Sequence, residues 1–258
     1  MQATSGSMRD LSLISKAFIA AIVLLGAAVL GNGLLHWSSS KPLELVALLV
    51  ITLIASRFRV RLPRINGTMS VNLPFLLIVA VMLSTGEALM IAAMASLFQS
   101  IPNAKRKTTL LQSVFNSATI TNAVAAAALV FHFAAHRGLP MSLAIAAAGA
   151  AFFIANTVPV ALVLWLAEGE DPIKMWINMA RLSSPYYVLS AGVAAIVCVA
   201  SRFALWGLGL ALLPLMYSIY TSYRIYFAVP AAEEQAPSAK PMGRAEVGTP
   251  SSTTAIVN

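Results

Sequence analysis

Charge is scarce in this sequence. Only 10% of its 258 residues are Asp, Glu, Lys or Arg, against 59% hydrophobic residues and a mean hydropathy of +0.82. A water-exposed surface needs roughly 25% charged residues, so a soluble globular domain is excluded. Cysteine occurs once, at Cys198 inside an apolar run, which rules out an internal disulfide and a cysteine-rich metal site. The phosphate-cradling GxxxxGK[ST], the dinucleotide-binding G-x-G-x-x-G, the zinc-binding HExxH and the G-x-S-x-G elbow are all missing. Nothing in the sequence therefore points to a soluble enzyme, a metal or a cofactor.

Long apolar runs take the place of charge. Eight stand out: Ala17–His36, Pro42–Ala55, Met69–Ser84, Ala88–Ile101, Leu110–His136, Leu139–Leu166, Pro185–Ser201 and Phe203–Val229. They are continuous and do not alternate, which favours helices over a transmembrane barrel. The expected fold is all-α: a polytopic membrane protein of about eight transmembrane helices, one short hairpin among them, plus an interfacial helix. Residues 1–16 read as a cytosolic N-terminus, 17–229 as the membrane domain and 230–258 as a disordered cytosolic tail rich in Ala, Pro, Ser and Thr. The first run is long for a signal peptide and no A-x-A site follows it, so it is expected to stay as a helix.

The net charge of +8 invites a nucleic-acid reading, but the basic residues sit at the margins of the apolar runs. Orientation in the membrane explains them better. With the N-terminus inside, fourteen of the 17 basic residues fall on the cytosolic side and only Lys41, Arg137 and Arg202 outside. Both termini are thus expected in the cytosol of a bacterial inner-membrane protein. Trp37 and Trp206 then lie at the outer interface, and Trp165 and Trp176 at the inner one, where indoles prefer to sit.

The stretch from Arg57 to Lys107 concentrates this pattern. Arg57, Arg59, Arg61 and Arg64 precede two short apolar runs, and Lys105, Arg106 and Lys107 follow them. Each run falls short of the roughly 20 residues a bilayer core needs, so the hairpin either thins the membrane or lies buried among longer neighbours. Its turn, Ser84-Thr85-Gly86-Glu87, has the spacing of a capping box. Further on, Asp171-Pro172 reads as an N-cap followed by proline at the first helical position. It opens a short amphipathic helix on the cytosolic face, expected to stop before Ser183-Ser184-Pro185. Tyr217, Tyr220, Tyr223 and Tyr226 read as an aromatic belt on the last run.

Polar side chains at membrane depth are costly and mark candidate sites. Asn72, Gln99, Gln112, Asn116 and Asn156 gather on the inner side, either as amide glue between helices or as a neutral ligand pocket. On the outer side stand Glu87, His132 and His136. The two histidines are one turn apart, which is metal-ligand spacing, yet both fall at interface depth, and Glu87 belongs to the capping box. Glu44 sits in a first helical turn, where the dipole favours an anion.

Four strings carry a family resemblance: LELVALLVITLIASRFRVRLPRINGTMSVNLPFLL, LLQSVFNSAT, SSPYYVLSAGVAA and LLPLMYSIYTSYRIYF. Over residues 43–227 the chain resembles the N-terminal multi-pass membrane module of bacterial GGDEF and HD-GYP signalling proteins. That resemblance implies a sensory or scaffolding module. The output domain such modules carry has no counterpart after Phe227, where the short tail follows. The expectation is a stand-alone, non-catalytic membrane module that binds a ligand, a separate output protein or a second copy of itself. A small-solute transporter or substrate-capture subunit is the alternative. Reporter fusions at Thr85 and Lys105 are expected to report from the outer and the cytosolic side respectively, and a cytosolic Thr85 refutes a spanning hairpin.

Overall fold

The computed structural model describes residues 12–39, 41–61, 68–100, 110–169 and 171–201, together with Thr221. Among these residues seven helices follow in order: α1 (Leu13–Leu35), α2 (Pro42–Ser56), α3 (Leu73–Met82), α4 (Thr85–Ser100), α5 (Leu110–His136), α6 (Met141–Glu168) and α7 (Pro172–Ser201). Between α2 and α3 a minimal antiparallel ladder joins β1 (Arg59–Arg61) to β2 (Thr68–Ser70). The fold is that of an all-helical membrane protein, but the count of eight crossings does not hold. Only α1, α5, α6 and α7 are both long and apolar enough to cross a membrane, while α2 and α3 are apolar but shorter. The eighth run, with its tyrosines and Trp206, lies outside the described residues, as do the tail and the first eleven positions.

Helix α3 is the innermost element. It has 10 residues and is therefore about 15 Å long, half the thickness of a hydrocarbon core. Every residue from Leu73 to Ala80 is at most 4% exposed. A helix that is apolar on all sides belongs inside a bundle, and its neighbours supply one. Ala88, Ile91 and Ala92 of α4, Ala123 and Val124 of α5, Ala144, Ile145 and Ala148 of α6, and Val193, Ala194 and Val197 of α7 share its core. Small residues dominate this shell. Lipid offers no hydrophobic drive for helix association, so close van der Waals packing must hold the bundle.

Two glycines mark the tightest crossing. A Cβ on Gly86, at the start of α4, would collide with the backbone carbonyl oxygen of Gly33 in the last turn of α1. A Cβ on Gly33 would in turn come within 2.8 Å of Leu89 Cδ1. The α3–α4 turn thus reaches the depth of the last turn of α1. Because α3 is so short, its shortfall appears at the other end, where its N-terminus stops inside the bundle. The expected hairpin is therefore present, with its first arm partly buried as one of the two alternatives required. The segment expected to be helical from Met69 instead spends Thr68–Ser70 on the ladder, where Arg59-Val60-Arg61 supplies the alternating pattern of a strand.

Contacts between helices fix which ends lie together. Ser15 Oγ, fully buried at the start of α1, donates to the Leu166 carbonyl near the end of α6 at 2.9 Å. The Arg57 guanidinium, just after α2, sits 5.0 Å from the ring centre of Phe98 near the end of α4. Ser96 of α4 donates to Ser117 of α5 at 2.8 Å. One end of the bundle, here called the basic end, therefore holds the start of α1 and the ends of α2, α4 and α6.

Helix α7 departs from expectation. Asp171 caps it as read from the sequence, accepting from Ile173 N at 2.9 Å and Lys174 N at 3.3 Å. The separate interfacial helix does not end at Ser183-Ser184-Pro185, however, but continues unbroken to Ser201 with Pro185 inside. Ser183 Oγ turns back onto the Met179 carbonyl at 2.7 Å. In water a Ser-Ser-Pro run ends a helix. In a membrane, breaking the helix would strand many more backbone groups than the single Arg181 carbonyl that proline deprives of its partner.

Replacing Gly86 with Ala is expected to lower stability by about 1–3 kcal/mol, the usual cost of overpacking. Gly31→Ala, with open space at its Cβ, serves as the neutral control. Thermal unfolding of the two variants in detergent checks the difference.

Candidate functional site

Five buried side-chain polar atoms among the described residues lack a hydrogen-bond partner: Glu44 Oε2, Asn72 Nδ2, Glu87 Oε1, Gln99 Oε1 and Asn122 Oδ1. Each such atom costs about 1–3 kcal/mol in desolvation, so each calls for a reason. For three of them the rest of the side chain is already employed by the fold. Glu44 pairs with Lys41 at 3.3 Å. Glu87 Oε2 accepts from Ser84 N at 3.0 Å and Ser84 Oγ at 2.9 Å, while Glu87 N donates to Ser84 Oγ at 3.4 Å, the expected capping box. Asn122 Nδ2 donates to the Ile22 carbonyl at 3.2 Å, tying α5 to α1.

Asn72 and Gln99 differ. They are 4% and 7% exposed, and neither makes a side-chain hydrogen bond to any described residue. Asn72 is the N-cap residue of α3 yet does not cap it. Caps normally save about 1 kcal/mol, so the amide is held away from its usual task. Its position follows from the ladder. Arg59 pairs with Ser70 and Arg61 with Thr68, and Val71 N donates to the Phe58 carbonyl at 3.0 Å, which continues the same register. Arg57 and Asn72, the next residues on either side, leave the ladder with helical backbone. Arg57 in turn covers the ring of Phe98, the residue before Gln99.

Asn72 thus stands at the sunken N-terminus of α3, and Gln99 lies near the end of α4 next to the Phe98 that Arg57 covers. At that N-terminus the first-turn amides of Leu73 and Phe75 have no helical acceptor, and Pro74 has no N–H to satisfy. The helix dipole adds partial positive charge there. The N-terminus offers an amide donor and backbone donors, and the end of α4 one acceptor oxygen. Neither offers a nucleophile paired with a base.

The other sequence candidates fall elsewhere. Asn116 is half-buried and immediately precedes Ser117, whose link to Ser96 ties α5 to α4, and Gln112, one turn before Asn116, is exposed. Asn156 does not join Asn72 and Gln99: its Nδ2 donates to the Tyr187 hydroxyl of α7 at 2.8 Å. It belongs to a second cluster that sequence reading missed. Phe153 lies 4.8 Å from Tyr187 and 6.2 Å from Trp176 between ring centres, and Trp176 Nε1 donates to Thr157 Oγ1 at 3.1 Å. Aromatics every few residues on two adjacent helices were the available signal. On the opposite side His136 is exposed and the His132 ring stands edge-on to Phe131 at 5.4 Å. No group of three metal-ligating side chains occurs among the described residues, so the histidine pair gains no third ligand.

A helical membrane protein with one buried half-length helix and a polar site at its N-terminus is the class defined by this geometry. The chain belongs to the MASE9 family, a family of membrane-associated sensor domains, whose sequence profile matches residues 4–227. No curated protein and no solved structure matches it.

Tyr187→Phe removes the acceptor of Asn156 and is expected to cost about 0.6–2 kcal/mol, the range for interhelical hydrogen bonds in membranes. A double-mutant cycle with Asn156→Ala, read by thermal unfolding, should return that coupling; additive losses would show that the bond contributes nothing.

Proposed function

We propose that this sensor domain receives its ligand or membrane partner at the sunken N-terminus of α3 and performs no catalysis of its own. The observation that carries the reading is the pair of buried amides, Asn72 and Gln99, left without partners where every comparable group has a structural task. On this reading the protein sits in a bacterial cytoplasmic membrane with both termini in the cytosol, as the arginine and lysine distribution favours. The basic end then faces the cytosol. The resemblance to the membrane modules of GGDEF and HD-GYP proteins supports a signalling output protein, or a second copy of the chain, as the partner. Helix α7 is the natural route outward, since it packs on α3 with Val193 and Val197 and runs on to Asp171 at the basic end.

A small-solute transporter is the second reading, favoured by the interrupted helix, a device transporters use to present backbone groups to substrate. Against it, α5 and α6 carry no charged residue between their ends, where ion-coupled transport usually places one.

Reconstituted into proteoliposomes, the full chain is expected to move no solute faster than protein-free vesicles. Cross-linked membranes should yield a defined partner whose recovery falls about fivefold, the effect of roughly 1 kcal/mol, when Gln99 becomes Ala at unchanged protein level. Solute flux, or a variant that is less stable with recovery intact, would sink the sensor reading.

A further inference from the structure

We infer that the exposed face of α7 is a docking site for a single anionic phospholipid of the leaflet at the basic end. The site lies apart from the N-terminus of α3 and does not depend on what binds there. Length divides α7 into two parts. Its 30 residues make about 45 Å of helix, whereas a hydrocarbon core is about 30 Å thick. Residues 182–201 carry no charged side chain, and their length of about 30 Å matches the core. Arg181 then stands at the edge of the core, with Lys174 about 10 Å further out among the headgroups.

One stripe joins the two parts. Lys174, Arg181, Pro185, Val188, Gly192 and Ile196 follow one another at steps of seven, four, three, four and four, which keeps them on one side of the helix. All six are exposed, Val188 by 72% and Ile196 by 66%. Between those two, Gly192 leaves a notch, since a Cβ there would meet nothing within 4 Å. Glycine weakens a helix interior relative to alanine, and nothing within reach calls for it here. The notch lies about 16 Å along the axis from Arg181, and one leaflet is about 15 Å deep. An acyl chain whose headgroup sits at Arg181 therefore passes Pro185 and Val188 and ends at the notch.

Charge selects the lipid. Among the described helices α7 alone carries two basic residues. No described carboxylate pairs with Arg181, and Lys174 reaches Asp171 only at 3.8 Å. A lipid phosphate at the edge of the core accepts charge-assisted hydrogen bonds from a guanidinium. A zwitterionic lipid brings its own cation beside the phosphate, so two basic side chains favour an anionic one. The helix that carries the stripe also shares the core of α3 through Val193 and Val197, which puts membrane charge in mechanical contact with the innermost element.

Photo-crosslinking of the full chain in nanodiscs tests this. Phosphatidylglycerol and phosphatidylcholine with the same photoreactive acyl chain are each added in trace to phosphatidylcholine discs. The phosphatidylglycerol probe is expected to label residues 185–196 about fivefold more than the phosphatidylcholine probe, fivefold corresponding to about 1 kcal/mol. Arg181→Gln should remove most of that preference, and Lys174→Gln should reduce it. Gly192→Leu fills the notch and should lower labelling by both probes. Unlabelled phosphatidylglycerol should displace the anionic probe, a readout that needs no variant. Equal labelling by the two probes overturns the proposal, as does a preference that survives Arg181→Gln or labelling unchanged in Gly192→Leu. A crosslink that joins two chains through this face overturns it as well and assigns the face to a second copy.

Discussion

Within a bilayer, a backbone group without a hydrogen bond has no water to turn to, and this one condition governs the bundle. A helix of 10 residues cannot present both its ends to the membrane surfaces. It must be wrapped by other helices, and its free terminal groups must be met by protein or by a ligand. Enclosing α3 takes α2, α4, α5, α6 and α7, hence the alanine-rich shell and the backbone-to-backbone approach of Gly33 and Gly86. The far end of α3 is settled by the Ser84–Glu87 box. Its near end is not settled by the fold, since Asn72, the N-cap residue, makes no capping hydrogen bond.

Much of this was legible from residue order. Continuous apolar runs between basic margins specified a helical membrane protein, Ser84 to Glu87 specified the turn, and Asp171-Pro172 specified the start of α7. These are local signals, resolved within a few residues by capping chemistry and side-chain cost. The number of crossings was not legible, because an apolar run records hydrophobicity and not whether lipid or protein surrounds it. The 10 residues of α3 and the 27 of α5 look alike to a hydropathy argument, although one is enclosed on every side. The Ser183-Ser184-Pro185 stop misled for a related reason: its helix-breaking strength is a property of water, where freed carbonyls are readily solvated.

The candidate site was half legible. Asn72 and Gln99 could be placed at one end of a hairpin from their spacing alone. Asn156 carried the same polarity signal but is satisfied by Tyr187, and only the packing of α6 on α7 reveals that. Arg57 was read as a topological marker. Its contact with the Phe98 ring depends on how α2 and α4 pack, which no local pattern records. What separates site from scaffold is therefore not the presence of a polar residue in the membrane but whether its second atom has work to do.

The proline inside α7 has a mechanical consequence. Residues 172–184 extend about 20 Å beyond Pro185, so a tilt of only 10° about that point displaces Asp171 by about 3 Å. The segment above the proline packs on α3, while the segment below is braced by Trp176 against Phe153 and Thr157 of α6. The arm on the other side of Pro185, residues 186–201, is about 24 Å long, so a tilt moves the two ends of α7 by similar amounts in opposite senses. The helix is a nearly balanced beam, and a shift beside α3 at one end is matched by a shift of like size at the other.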